Sequence, residues 1–147
     1  MKNQKKGFTL IELLVVIAII GLLATLSVVA LNNARERARD SRRVSDVKQM
    51  QTALELYFNA KNEYPADADF STGETFETGG TVLMDPVPTP PTPDDCTGNT
   101  YDYIVSTDND SYCLEYCLGN DTGGIDGGDN IFATPNSVEG ERGTCPL

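Results

Sequence analysis

The sequence predicts an α+β fold in which one long amino-terminal helix packs on a small antiparallel β-sheet. An apolar run of 24 residues (8–31) contains a single charge, Glu12, and helix-forming residues continue to about residue 60 without a proline. β-rich runs then alternate with turns rich in Asp, Asn and Gly. All four cysteines lie in this second half, which indicates a small domain stabilised by disulfides.

The apolar run is long enough to cross a bilayer, because a helix rises about 1.5 Å per residue and a bilayer core needs about 20 residues. A secretory leader has a shorter apolar core of about 7 to 15 residues and a small-residue cleavage site. Three lysines, Lys2, Lys5 and Lys6, precede the run. We therefore predict that the run is kept as a membrane helix over 8–31, and a cut after Gly7 would remove only the leader segment 1–7.

Residues 32–61 are predicted to continue the same helix as an amphipathic segment. Asn32 to Ala60 contains no proline or glycine. Its apolar residues recur at steps of three and four: Val44, Val47, Met50, Leu54, Tyr57 and Phe58. Pro65 ends the helix, since a proline pushes the preceding residue out of helical geometry.

Residues 62–147 are predicted to form a carboxy-terminal β-sheet domain outside the cytoplasm. Residues 66–80 are polar and indicate a surface loop, and residues 81–86 form a short apolar strand or helical turn. The five prolines of residues 86–93 require an extended segment that cannot join a sheet interior.

Two β-rich runs, 101–105 and 112–118, predict a hairpin. If Thr107 lies opposite Asp110, one face of the hairpin carries the residues that cover the helix stripe: Tyr101, Tyr103, Val105, Tyr112, Leu114, Tyr116 and Leu118. The other face carries Ile104, Cys113, Glu115 and Cys117. A further strand is predicted near residues 130–134.

The four cysteines predict two disulfides. Cys113 and Cys117 are four residues apart on one strand, so their Cα atoms are about 13 Å apart and cannot be bridged. Each must pair with Cys96 or Cys145, and the sequence leaves both of those connectivities open. A zinc site is disfavoured, because the spacing lacks the usual two-residue spacer and the chain has no histidine.

The two parts of the chain differ strongly in charge. Residues 1–50 carry nine basic and four acidic groups, whereas residues 51–147 carry two basic and eighteen acidic groups. An acidic domain argues against nucleic acid or anionic lipid as its partner. Five arginines after the apolar run would by themselves favour the cytoplasm: Arg35, Arg37, Arg39, Arg42 and Arg43. In a filament, acidic surfaces of neighbouring subunits would match them.

The stretch Lys5-Lys6-Gly7-Phe8-Thr9-Leu10-Ile11-Glu12 and the aliphatic run after it resemble the processing motif of type IV pilins and type II secretion pseudopilins. The resemblance implies the pilin fold, cleavage between Gly7 and Phe8 by a prepilin peptidase, and methylation of Phe8. It also implies that Glu12 meets the amino terminus of a neighbouring subunit. A carboxylate near the end of a membrane helix is costly and is usually kept for a partner, which supports this role.

The glycine-rich loop 119–131 is a candidate calcium site. Calcium takes six to eight oxygen ligands, and glycines let a loop curl around an ion. The loop resembles that of major type II pseudopilins, which implies Asp121 and Asp129 as ligands and Asn130 in place of a second acid, with Asp126 nearby. The alternative is a solvated loop of turns, which the same composition also produces.

The sequence favours a structural protein. It has no histidine, nucleophile motif or phosphate loop, so no enzyme activity is expected. The leading hypothesis is a pilus-like homo-oligomeric filament subunit, made as an inner-membrane precursor with a cytoplasmic amino terminus. A pilus or secretion assembly platform would deliver it to an extracellular or periplasmic filament. The alternatives are a major type II pseudopilin and, in another class, a single-pass anchored binding module.

Overall fold

A computed structural model describes residues 7–94, 96–142, 145 and 147, so residues 1–6 of the predicted leader lie outside the described residues. The architecture is α+β, as predicted, with one long helix followed by small antiparallel sheets. The elements are α1 (Leu10–Lys61), a short 3-10 helix (Asp67–Asp69), β1 (Phe76–Thr78), β2 (Thr81–Met84), β3 (Asp102–Val105), β4 (Tyr112–Leu118), β5 (Gly128–Thr134) and β6 (Ser137–Arg142).

The helix α1 runs for 52 residues without a break. It ends at Asn62, whose φ of 59° is left-handed and whose N–H donates to the carbonyl of Phe58 at 2.7 Å. Asparagine tolerates this conformation, which caps the last carbonyls of a helix. Pro65 follows shortly and prevents the helix from resuming.

The chain divides into two units, Met1–Arg35 and Glu36–Leu147. In the described part of the first unit, every residue is exposed. The second unit contains the hydrophobic core, the sheets and both disulfides.

The main sheet has four antiparallel strands in the order β3-β4-β5-β6. Tyr103 pairs with Leu114 and Val105 with Tyr112, so the predicted register of the hairpin is confirmed. The register shifts between β4 and β5, where Tyr116 pairs with Ile131 but Leu118 pairs with Gly128. The extra residue makes a bulge in β5, and a left-handed asparagine, Asn130 (φ 55°), lies within it.

The core of the second unit lies between the helix stripe and the tyrosine face of the hairpin. Val47, Met50 and Leu54 are completely buried, which confirms the predicted stripe. They form one cluster with Tyr112, Leu114, Tyr116 and Leu118 of β4 and with Ile131 and Ala133 of β5. Burial of this apolar surface is the main stabilising contribution to such a unit.

The prediction of a surface loop over residues 66–80 is wrong. The segment contains β1, which pairs with β2 through a turn at Gly79 and Gly80, both with positive φ. Phe70 and Phe76 are buried, and their ring centroids are 4.8 Å apart. The polar composition around them obscured two aromatic residues that the core requires.

The sheet is also larger than predicted, since β6 follows β5 after a two-residue turn at Pro135 and Asn136. The segment of prolines belongs to no strand, as expected. Two of its residues are buried, Val87 and Pro91. It therefore covers part of the core instead of only linking two elements.

The structure pairs Cys96 with Cys117 and Cys113 with Cys145. This is one of the two connectivities that the sequence left open, and the Cα atoms are 6.1 Å apart in both bridges. Both bridges start from β4. They attach the segment after the prolines and the carboxyl end to the most buried strand.

Candidate processing and assembly site

The start of α1 is a capping box. Thr9 precedes the first helical residue, and the backbone N–H of Glu12 donates to its Oγ1 at 3.3 Å. The carboxylate of Glu12 in turn accepts from the N–H of Thr9 at 2.8 Å and from its hydroxyl at 2.6 Å. These reciprocal bonds satisfy donors that a helix start leaves free. The peptide bond between Gly7 and Phe8 therefore lies immediately before a defined helix start.

The first half of α1 presents apolar side chains on all sides. Leu10 is 81% exposed and even Val16, among the less exposed, is 47% exposed. Among the described residues, α1 is the one helix long and apolar enough to cross a membrane by length and composition. Because so much exposed apolar surface is unfavourable in water, this segment requires lipid or other protein around it.

The Asp40 carboxylate joins the second half of α1 to the glycine-rich loop. It is completely buried and accepts hydrogen bonds from the backbone N–H groups of Gly119 and Asn120, both at 2.9 Å, and from the Asn120 side chain at 3.2 Å. Arg43 donates to the same carboxylate at 2.9 Å. A buried carboxylate is tolerated when its oxygens are paired in this way.

Arg43 connects this carboxylate to a third segment. Its guanidinium, also completely buried, donates to the Asn99 side chain at 2.9 Å. Asn99 donates in turn to the carbonyl of Pro91 and the carboxylate of Asp94. We call Asp40, Arg43, Asn99 and Asn120 the polar anchor.

The arginine cluster therefore has more than one role. Arg43 is part of the anchor, so the expectation that this residue faces a neighbouring subunit is wrong. Arg42 is exposed and forms an ion pair with Asp46 at 3.6 Å. Burial raises the pKa of Asp46, while the Tyr101 hydroxyl, which donates to it at 3.0 Å, and Arg42 oppose that shift.

The glycine-rich loop owes its composition to tight backbone turns. Thr122 and Ile125 exchange two backbone hydrogen bonds around Gly123 and Gly124, whose φ values are 64° and 87°. Two consecutive positive φ angles form the preferred hairpin turn, and glycine adopts them without steric cost. At Gly127, an added Cβ would lie 2.6 Å from the backbone of Asn120, so only glycine fits.

The candidate calcium ligands do not converge. Asp121 accepts the N–H of Gly127 at 2.8 Å, whereas Asp129 accepts the N–H of Thr97 at 2.9 Å. Within the described part of the chain, no group of three or more acidic, cysteine or histidine side chains could hold a metal ion. Calcium binding by Asp121, Asp126, Asp129 and Asn130 stays a prediction.

Comparison with known proteins identifies the amino-terminal segment. Residues 2–28 match the family described as the prokaryotic N-terminal methylation motif. Through this segment the chain resembles type IV pilins and type II secretion pseudopilins. The matched residues include Gly7 and Phe8 as well as Thr9 and Glu12, which form the capping box.

The curated relatives of this chain carry two kinds of name. This chain is 36% identical over 93 residues to the type II secretion system core protein G of Dickeya chrysanthemi. The aligned region covers 63% of this chain and 55% of the relative. The chain is 42% identical over 64 residues to that of Aeromonas hydrophila, covering 44% and 45%. It is 49% identical over 55 residues to the type IV major fimbrial protein FimA of Dichelobacter nodosus, covering 37% and 35%.

The chain thus spans about half or less of the length of these relatives. No solved structure matches the chain at a significant level. The family match is confined to the amino-terminal segment, so the carboxy-terminal part of the chain must be interpreted from its own residues.

Sequence reasoning missed two features of these sites. The capping role of Thr9 has a clear signal, because Thr-x-x-Glu directly before an apolar run is the capping-box pattern. The polar anchor has no local signal. Arg43 lies among exposed arginines, and its partner Asn99 is 56 residues away.

Proposed function

We propose that this chain is a structural subunit of a type IV pilus-like filament. A prepilin peptidase cuts the precursor between Gly7 and Phe8, Phe8 is methylated, and residues 8–31 pack against the same segments of other copies. The observation that carries the proposal is the conjunction of the matched methylation motif with a helix whose apolar first half is exposed on every side.

An exposed apolar half-helix needs two successive environments in this proposal. The bilayer surrounds it in the precursor, with the amino terminus in the cytoplasm, and neighbouring subunits surround it in the filament. The two disulfides support export of the second unit, since such bridges persist outside the cytoplasm. An assembly platform in the inner membrane would transfer subunits from the first environment to the second.

Glu12 has a specific role in this transfer. Its carboxylate is bonded to Thr9 of the same chain, close to the amine that cleavage would create at Phe8. A neighbouring subunit's new amino terminus carries a positive charge, which a carboxylate in an apolar setting would attract more strongly than it attracts a neutral hydroxyl. We propose that Glu12 exchanges its cap for this partner and thereby sets the axial register.

A second candidate function is that of the major pseudopilin of a type II secretion system. The observation that favours it is the match to the Dickeya chrysanthemi protein, which extends over 93 residues and so beyond the apolar helix. The two candidates share processing and polymerisation. They differ in the location of the filament: a pilus extends from the cell surface, whereas a pseudopilus stays in the periplasm.

The test of the proposal is intact mass with amino-terminal fragmentation on protein sheared from native cells and on protein from membranes. A chain that begins at methylated Phe8 in the sheared fraction is the expected result. A chain that begins at Met1, confined to membranes and monomeric, would instead support an anchored binding module and contradict the filament.

A variant sharpens this test. Glu12→Ala should remain in the membrane, be cut and be absent from the sheared fraction. Glu36→Ala removes a carboxylate from the same helix outside the apolar run and should leave the amount of protein in the sheared fraction unchanged. Normal filaments from Glu12→Ala would remove Glu12 from the mechanism.

A further inference from the structure

One face of the second half of α1 stays exposed, and none of its exposed residues is acidic. From Arg37 to Lys61, a stretch that the structure describes completely, none of the exposed residues is acidic. Three acids occur in this stretch. Asp40 is buried in the polar anchor, Asp46 is buried against Tyr101, and Glu55 is half-buried and accepts a hydrogen bond from the Tyr64 hydroxyl at 2.8 Å. The face consists of Arg37, Ser41, Ser45, Lys48, Thr52 and Leu56, which follow one another at helical spacing. We call it the α1 outer face.

Grooves border this face on both sides. A groove of about 580 Å³ separates Arg37 and Ser41 from the glycine-rich loop. Grooves of about 370 and 330 Å³ separate Thr52 from β2 and from the turn before β6. The face is therefore a ridge, and its short Ser and Thr side chains allow another surface to approach the helix closely.

The charge of the ridge is opposite to that of the rest of the unit. Residues 36–147 contain twenty-one acidic and seven basic residues, and two of the seven, Arg37 and Lys48, lie on the ridge itself. Two such units repel each other wherever acidic surfaces meet. They attract where the ridge of one copy meets the acidic domain of the next, which gives both orientation and specificity.

This pairing joins two different surfaces, so it is heterologous and continues from copy to copy. Such a contact produces an open helical assembly unless its rotation closes a ring. An exposed leucine, Leu56, at 50% exposure, adds apolar area at the end of the ridge.

We propose that the α1 outer face docks the acidic carboxy-terminal domain of a second copy of this chain. The inference rests on the proposed filament function and specifies a contact between the exported domains, separate from packing of residues 8–31.

Charge reversal on the ridge tests the inference in the native host. Lys48→Glu and Arg37→Glu should each reduce sheared filaments about tenfold, because a like charge placed in an interface costs at least that factor in affinity. Lys61→Glu is the matched control, since Lys61 is exposed on the same helix but points away from the ridge, and it should leave the yield unchanged. Equal melting temperatures of the three variants would show that the fold is intact.

A zero-length carbodiimide, which joins an amine to a carboxylate in contact with it, gives a second readout. Lys48 should be linked to an Asp or Glu of the carboxy-terminal domain in sheared filaments, and the same link should be absent from detergent-solubilised monomers. The same link in monomers would show a contact within one chain and would overturn the inference.

The outcomes separate this inference from the proposed function. Filaments that need Glu12 but tolerate both reversals would overturn the docking surface and leave the filament standing. No wild-type filaments would overturn both. A third outcome concerns lipid. If the full chain binds vesicles of anionic lipid, and both reversals abolish that binding but leave the filament yield unchanged, the ridge contacts lipid headgroups and docking of a second copy is overturned.

Discussion

The two halves of α1 share one backbone and differ in what covers their side chains. In the first half, Leu10 and Ile17 are 81% and 60% exposed in the single chain, whereas Val47, Met50 and Leu54 in the second half are at 0%. The stability of the single chain therefore comes from the second half and the sheet. The apolar surface of the first half contributes only when a membrane or other copies cover it.

The largest effect expected in the second half is that of breaking the polar anchor. Asp40→Ala leaves the Arg43 guanidinium buried without its carboxylate and removes the acceptor for the N–H groups of Gly119 and Asn120. Loss of one partner of a buried ion pair costs about 3–5 kcal/mol. The loss of unfolding free energy is measured by denaturant titration of the detergent-solubilised full chain, with near-ultraviolet circular dichroism of the tyrosines as the readout.

Two variants control this prediction. Asp108→Ala removes an exposed carboxylate from the hairpin turn and should change the free energy of unfolding by less than about 0.5 kcal/mol. The double variant Asp40→Leu with Arg43→Met removes both charges and should recover the part of the loss that comes from the unpaired guanidinium, while the N–H groups of Gly119 and Asn120 still lack their acceptor. A single Asp40→Ala variant as stable as wild type would show that the anchor does not stabilise the unit.

A pair of identical substitutions contrasts the two halves directly. Leu54→Ala creates a cavity in the core and should cost about 2–5 kcal/mol. Leu23→Ala changes a residue that is 56% exposed and should leave unfolding of the second unit within about 0.5 kcal/mol of wild type. The same denaturant titration measures both, and equal losses would mean that the halves unfold together.

Removing a disulfide should have a somewhat smaller effect. Cys113→Ser with Cys145→Ser opens a link across a sequence separation of 32 residues, and loss of such a link costs about 2–4 kcal/mol. Cys96→Ser with Cys117→Ser opens a separation of 21 residues and should cost a few tenths of a kcal/mol less in the chain-entropy account. The reverse order would indicate that packing of the bridged segments, and not loop length, sets the loss.

Periodicity explains which parts of the fold were predictable. The stripe on α1 and the register of the β3–β4 hairpin follow from side-chain spacing within short windows, and the structure confirms both. The membrane-length run and the motif at Gly7 are likewise local. Such features depend on neighbours in sequence, which a single chain displays directly.

The features that were missed depend on partners far away in sequence. Phe70 and Phe76 occur in a polar segment and are recognised as core only when they meet Tyr103 and Tyr57. The burial of Arg43 depends on Asn99, and the choice of disulfide pairing depends on where Cys96 and Cys145 are brought by the sheet. In the glycine-rich loop, the composition fits both a metal loop and tight turns, and the backbone angles show the turns at Gly123 and Gly124.

The smallest effect expected is a gain in stability on the outer side of the sheet. Glu115 lies directly opposite Asp102 across β3 and β4. Burial first, and then the charge of Asp102, raise the pKa of Glu115. A carboxyl group whose pKa is higher in the folded state than in the unfolded state destabilises the fold when it is ionised, so Glu115→Gln should stabilise the chain at pH 7.

Like charges opposite each other in a sheet cost about 0.2–1 kcal/mol, and solvent screening of these half-exposed groups places the gain at the low end. The gain should be complete above the folded pKa of Glu115, shrink as the pH falls through it, and vanish below the unfolded value of about 4.3, where Glu115 is protonated in both states. Melting temperatures of Glu115→Gln and wild type between pH 3 and 8 measure this. A gain that persists at pH 3 would show that the substitution acts through packing and not through charge.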